Sequence, residues 1–332
     1  MSELAVEGEL AVYLPWQAEQ WQRISALRES GRLPHALLLS GSQGIGKARF
    51  ARALAQFLMC EQPVGGTACG QCRQCHFNRA ATHPDMKWVE PESAGKQIRV
   101  DQIRELVDFL GHTSQQGGYK VTVIHPAEAM NINAANALLK CLEEPSGSTM
   151  LILLSDAPSR LLATIRSRCQ IVGFPQPDRQ QSLDWLRAVL GPQSDQAERL
   201  LSEAQGRPMR ALELLCSDGL EMLQQLDTDF LTMIEGRAGA VTIAEKWLAF
   251  ELADVLVWFN QRLTALIAGA VGGVSLPMLW QPWVSRVDPR ALYAVWDRGV
   301  QLQQQMSRGG NPNRQLALED LLLFSCDKFH KP

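Results

Sequence analysis

Two hydrophobic rhythms divide the chain near residue 175. Upstream, short runs that are apolar at nearly every position read as strands buried on both faces: Ala36 to Leu39, Val121 to Ile124, Met150 to Leu154 and Ile171 to Phe174. A fifth run, Met86 to Glu90, alternates into a strand after the turn His83-Pro84-Asp85. Between these lie segments of helical period, Ala48 to Met59, Ala134 to Leu142, and Val100 to Leu110 with Val100, Ile103, Leu106, Val107 and Leu110 on one face. A helical turn through Leu161-Leu162-Ala163 leads to Ser167-Arg168-Cys169 and the last strand. Strands alternating with helices over residues 35–174 predict an α/β domain on a parallel sheet. Ahead of it, Trp16, Trp21, Ile24 and Leu27 predict a helix closed by Gly31 and Pro34.

Pro175 and Pro177 mark a boundary, beyond which strand signal fades. Residues 178–214 predict three short amphipathic helices, with a break at Gly206-Arg207-Pro208 before the third. Leu248, Leu252, Val255 and Phe259, then Leu292, Val295 and Trp296, then Leu318, Leu321 and Leu322 fall at helical spacing and predict a bundle. The expected domains are 1–175, 176–215 and 216–332. Six of the nine tryptophans follow residue 180, where they are expected as core or interface fillers. The polar helix face Gln301 to Gln305 carries no functional reading.

Charge and composition narrow the function. A net charge of −3 supplies no global basic field for nucleic acid. The longest apolar run, near Leu263 to Leu279, is glycine-rich and broken by Pro277, and no signal-like N-terminus is present, so a soluble cytoplasmic protein is expected. Half of the eight cysteines crowd into one stretch, Cys60, Cys69, Cys72 and Cys75, which in a cytoplasmic chain points to metal rather than disulfides. Four thiolates close a tetrahedral structural zinc site over residues 60–76 and leave no open position for catalysis. His76 is an alternative ligand that points inward less easily, and spacing alone leaves an iron–sulfur cluster open. A DNA-contacting zinc knuckle is disfavoured, because Arg73 is the only basic residue within the cluster.

Gly41-Ser42-Gln43-Gly44-Ile45-Gly46-Lys47-Ala48 lies between a predicted strand and a predicted helix, the setting of a phosphate-binding loop. Gly41, Gly44 and Gly46 let backbone N–H groups turn toward phosphate, and Lys47 reaches the β- and γ-phosphates. The last position calls for the Ser or Thr hydroxyl that holds Mg2+, and Ala48 has only a methyl group. The strand Val121 to Ile124 ends in His125-Pro126-Ala127 where a working ATPase carries acidic residues, and Glu128 is displaced from that position. An active ATPase motor, or a phosphate-loop nucleotide kinase, therefore lacks its metal ligand and its acidic strand end.

The combined motifs resemble the clamp-loader branch of the AAA+ superfamily, the subunits of the bacterial DNA polymerase III clamp loader. The resemblance is carried by Leu33-Pro34-His35-Ala36-Leu37, the phosphate loop, the four cysteines, Thr82-His83-Pro84-Asp85, the run from Asn136 through Lys140 to Glu144-Pro145, Ser167-Arg168-Cys169, and Asn313 with Leu316, Leu318, Leu321 and Leu322. It implies an AAA+ parallel-sheet domain with an inserted zinc module, a small helical lid and an all-α collar that holds a ring of subunits together. Ala48, His125 and Pro126 set the chain apart from the gamma/tau motor subunits, as does the lack of a long basic, proline-rich extension. The implied role is a non-hydrolysing, relatively rigid subunit of a hetero-oligomer with gamma/tau motor subunits and a delta subunit, which loads the sliding clamp onto primed DNA. Arg168 is implied as an arginine finger acting on a neighbour's ATP. Ser155 and Arg210 fall near two nucleotide-sensor positions, and Arg210 leaves weak ATP binding open. The resemblance implies no polymerase activity in this chain and no ATPase of its own.

Overall fold

An interior strand explains the sheet. Along β1 (Ala36–Ser40), Leu37 and Leu39 face one side and Ala36 and Leu38 the other, and all four are buried, so both faces must be covered. In the computed structural model, which describes residues 10–329 except 94, 218, 273–279, 285, 308, 309 and 311, that demand is met by helices on both sides. The remaining strands are β2 (Met86–Val89), β3 (Lys120–Ile124), β4 (Thr149–Ser155) and β5 (Gln170–Gly173). They lie in the order β2-β3-β4-β1-β5, every pair parallel, with Leu38 opposite Leu153 on one side and Ile171 on the other.

Helices α1 (Ala18–Glu29) and α2 (Lys47–Met59) supply Trp21, Ile24, Phe50, Leu54 and Phe57 to one face. After α3 (Arg73–Arg79), helices α4 (Val100–Gly111), α5 (Ile132–Glu143) and α6 (Ala163–Arg166) cover the other with Ile103, Leu106, Leu138 and Ile165. Helix α5 begins two residues before the expected Ala134, because the Asn131 side chain caps it by accepting Ala134 N–H at 2.8 Å. The segment after the two prolines forms α7 (Arg179–Leu190), capped by Asp178, then α8 (Ala197–Glu203) and α9 (Pro208–Cys216).

The chain divides into two compact units, residues 1–217 and 218–332. The second contains α10 (Gly219–Ile234), α11 (Ala240–Trp247), α12 (Leu252–Gly272), α13 (Gln281–Val284), α14 (Pro289–Ser307) and α15 (Arg314–Phe329), with no strand among its described residues. Its core is aromatic: Trp247, Trp258, Phe230, Phe259 and Trp280 are all buried and pack edge to face or tilted. One periodicity fails here. Spacing places Leu248 on the same helix as Leu252, but α11 ends at Trp247 and α12 opens at Leu252. The carbonyls freed by the break, those of Leu248 and Phe250, accept from the Arg314 guanidinium. Pro277, expected to interrupt the apolar run, lies outside the described residues. Among those described, no helix is long and apolar enough to cross a membrane.

A buried ion pair ties the aromatic core together. Asp227 accepts from Arg262 through Nε at 2.7 Å and Nη2 at 2.8 Å, and from Trp258 Nε1 at 2.8 Å. Both charged side chains are about nine-tenths buried, at 11% exposure each. Removing one partner strands the other charge in a dry site. Asp227→Ala is expected to destabilise this unit by about 3–5 kcal/mol. Urea unfolding followed by tryptophan fluorescence checks it, and Asp227→Asn should cost less because it keeps an acceptor for Trp258.

Candidate functional site

The loop after β1 is shaped by what presses on it. Gly41 N–H donates to Ser155 O at 3.2 Å, and a Cβ at Gly41 would stand 2.4 Å from the Phe174 carbonyl oxygen. At Gly46 φ is +90°, and a Cβ there would meet Leu14 Cδ1 at 2.3 Å. Glycine is therefore required by the chain's own packing. The turn Pro15–Gln17 closes over the loop, with Trp16 Nε1 donating to Ile45 O at 2.9 Å and Gln17 Nε2 to Gly46 O at 2.9 Å. From the other side, the first turn of α9 donates Met209 and Arg210 N–H to Gly44 O at 3.0 and 3.3 Å.

Lys47 opens α2, as a phosphate-loop lysine should, but its ammonium is engaged within the chain. Nζ donates to Gly41 O and Ser42 O, both at 2.7 Å, and to Asp156 Oδ1 at 2.6 Å, with the side chain only 4% exposed. Ala48 is buried beside it. The structure thus gathers Gly41, Gly44, Gly46, Lys47 and Arg210 around one loop, with Arg210 Nη1 paired to Glu213 Oε2 at 3.1 Å. Ser155 is fully buried at the end of β4. At the end of β3, His125 Nδ1 lies 3.2 Å from Glu90 Oε1, which also accepts from Trp88 Nε1 at 2.8 Å. Glu128 is engaged too: its Oε1 accepts the N–H groups of Asp156 and Ala157 at 2.9 and 3.0 Å.

The four cysteines converge. Cys60 ends α2, Cys72 precedes α3 and Cys75 lies within it, and Gly70 at φ +75° turns the chain between Cys69 and Cys72. All four Sγ atoms lie within 4.8 Å of one another, with Cys60–Cys72 and Cys69–Cys75 at 3.9 Å and Cys60–Cys75 at 3.7 Å. Ligands at ~2.3 Å from one tetrahedral ion stand about 3.8 Å apart, so the cage fits a single metal ion. A cluster of several irons and sulfides would hold its cysteines wider apart. His76 is exposed and outside the group, so it is not a ligand here. Gln71 and Cys72 N–H donate to Cys69 Sγ at 3.4 Å each, which lowers the Cys69 pKa to about 6, whereas burial pushes the Cys60 and Cys75 thiols up. A bound cation would favour the thiolate at every position.

Arg168 stands apart from both groups, between α6 and β5. Its Nε and Nη2 meet Glu143 Oε1 at 2.8 and 2.5 Å, its Nη1 donates to Thr164 O at 3.0 Å, and its side chain is 35% exposed.

Sequence reasoning missed Asp85, treated there as a turn residue. It is fully buried and accepts from Gln115 and Gln116 N–H at 2.8 and 2.9 Å and from Ser114 Oγ at 2.9 Å. Burial opposes its charge, but these donors outweigh burial and hold the carboxyl below its ordinary value. Asp85 thereby fixes the loop that enters β3, beside a cavity of about 270 Å³ lined by Cys60, Gln74, His83 and Tyr119. An aspartate that directly precedes a strand after a His-Pro turn was the available signal.

A parallel five-stranded sheet with a glycine-rich loop after an interior strand, a helix bonded to that loop and an inserted four-cysteine module define an α/β protein of the glycine-rich-loop type. Residues 16–178 match the family model described as "DNA polymerase III, delta subunit". The DNA polymerase III subunit delta' of Pseudomonas aeruginosa is 38% identical over 95% of this chain and 97% of its own length, and that of Escherichia coli is 31% identical over 94% of each. The chain belongs to the family of DNA polymerase III delta' subunits. The tau subunit of Salmonella typhimurium is 32% identical over 54% of this chain and 28% of its own length. A gamma subunit-related protein from Thermotoga maritima superposes with a TM-score of 0.47 at 16% identity, over 94% of this chain and all of its own, a likeness too loose to argue from.

Cys75→Ser should remove stoichiometric metal from the purified chain. Elemental analysis checks the loss, and hydrogen exchange should rise over residues 60–76 before the sheet opens, because the sheet has its own core.

Proposed function

We propose that this chain is a non-hydrolysing subunit of a clamp loader, and that it completes the ATP site of a neighbouring motor subunit with Arg168. The observation that carries the reading is the state of its own loop, in which Lys47 is held by Gly41 O, Ser42 O and Asp156. Membership of the delta' family supports the assembly: gamma/tau motor subunits and a delta subunit as partners, the sliding clamp as cargo and primed DNA as destination. Residues 1–175 would form the AAA+ domain, 176–215 the lid and 216–332 the collar that joins the ring.

The chemistry follows from what each side chain can do. A magnesium nucleotide needs a hydroxyl at position 48 and carboxylates at the end of β3, and this chain offers Ala48, His125 and Pro126. Glu128, the nearest carboxylate, holds backbone N–H groups instead. Weak nucleotide binding would have to displace Lys47 from its present acceptors, with Gly41, Gly44, Gly46 and Arg210 around the phosphates. Arg168, by contrast, is partly exposed just before the edge strand β5. A guanidinium is always charged and presents a fork of donors, so it can meet the charge that develops on a γ-phosphate held by another subunit. The ion held by Cys60, Cys69, Cys72 and Cys75 is proposed as Zn2+, which four thiolates suit, and X-ray absorption should place sulfur at ~2.3 Å from it.

Two outcomes test the reading. The isolated chain should hydrolyse ATP no faster than buffer, and Ala48→Ser alone should leave it inert, because the strand-end carboxylates are still missing. Steady turnover by a preparation free of other ATPases would overturn this. In the assembled complex, Arg168→Ala should lower DNA- and clamp-stimulated turnover only in part, since it serves one of several sites, and lower clamp loading more. Arginine fingers are worth ~10³–10⁵ in rate at the site they serve. Arg168→Lys should rescue poorly for want of a planar fork.

A further inference from the structure

Arg168 carries five N–H donors, and its own chain engages four of them, one only at long range. Nε and Nη2 share Glu143 Oε1, at 2.8 and 2.5 Å, along the side of the fork. Nη1 donates to Thr164 O at 3.0 Å. The second Nη1 N–H meets Ser167 Oγ only at 3.5 Å, the outer limit of a hydrogen bond, so it and the remaining Nη2 N–H are the pair left to match two oxygens of a phosphate. Glu143 is the last residue of α5 and Thr164 lies in α6, two helices that pack together, so the fork is gripped from two rigid directions. The C-terminal end of α5 adds a negative partial charge that favours a guanidinium there.

The pair is half-exposed, with Glu143 at 50% and Arg168 at 35%, and such pairs add little to folding stability. What it does is select one arrangement of a long, mobile side chain before any phosphate arrives. We propose that Glu143 is a positioning residue for Arg168, holding the side of the guanidinium so that its terminal N–H pair faces a neighbour's nucleotide phosphate. This rests on the trans-acting role of Arg168. Glu143 itself touches no phosphate, since its charge would repel one, and acts only through the arginine.

The test compares Glu143→Ala, Glu143→Gln, Arg168→Ala and the Glu143→Ala/Arg168→Ala double variant in the complex assembled with its motor subunits. Glu143→Ala should lower kcat at the site served by Arg168 by about twofold to tenfold, the range set by ordering one long side chain, with the KM for ATP unchanged. Glu143→Gln keeps an oxygen acceptor at the same reach and should recover most of that loss. In the Arg168→Ala background, Glu143→Ala should cost nothing further, because the two act as one unit. An equal loss in both backgrounds, or a loss that tracks a lower melting temperature or failed assembly, assigns Glu143 a structural role and overturns the proposal. Faster turnover with Glu143→Ala also overturns it, since the carboxylate would then be restraining the arginine. If Arg168→Ala alone changes nothing, the trans-acting role fails first and separately. A loss with Arg168→Ala but none with Glu143→Ala removes only the positioning role.

Discussion

A buried ammonium must find an acceptor for each of its three N–H bonds, and Lys47 finds them all within its own chain. Two are carbonyls of the loop it follows, and the third, Asp156, lies just past the end of β4. That one contact set fixes the curvature of the loop, the start of α2 and the exit from the neighbouring strand. Asp156 is in turn held by Glu128 through its backbone N–H, so the ends of β1, β3 and β4 are bound into one network. An interior position that would be a mobile charge without a ligand has become a structural joint.

Around this joint the molecule separates what is fixed from what faces outward. The sheet's two cores hold α2 and α5, whose far ends carry Cys60 and Glu143. Each of these side chains therefore hangs on the end of an element whose position is set by apolar packing. The cysteine cage closes the chain over a short insertion between α2 and β2, and Arg168 follows the short helix that returns the chain to β5. Precision at a side chain's tip is inherited from burial at its root.

The strands were legible because a parallel strand buried on both faces is apolar at almost every position, as Ala36 to Leu39 and Met150 to Leu154 are. The cysteine cluster was legible for a different reason: its ligands are close in sequence, so spacing alone constrains them. Contacts between distant residues were not. Asp227 and Arg262 are 35 positions apart and look, one by one, like solvated helix charges. Glu143 and Arg168 are 25 apart, and nothing local distinguishes a carboxylate that grips a guanidinium from one that meets water. The break at 248–251 escaped because helical period continues in register across it, while the reason for stopping, Arg314, lies 66 residues on. The glycines of the loop were read for phosphate, and their crowding by Leu14 and Phe174 was invisible without the fold.

The two N–H groups of α9 that rest on the Gly44 carbonyl have a mechanical meaning. A ligand can swing a lid only through contacts that differ between its two positions, and the shift is no larger than that difference in affinity. Here the first turn of α9 is already bonded to the loop, with Arg210 Cβ packed against Gly44 where a second Cβ would stand only 2.7 Å away. A ligand entering the loop would have to break bonds already made there before it could move α9. Two N–H groups resting on one carbonyl tie the start of α9 directly to the position of the loop.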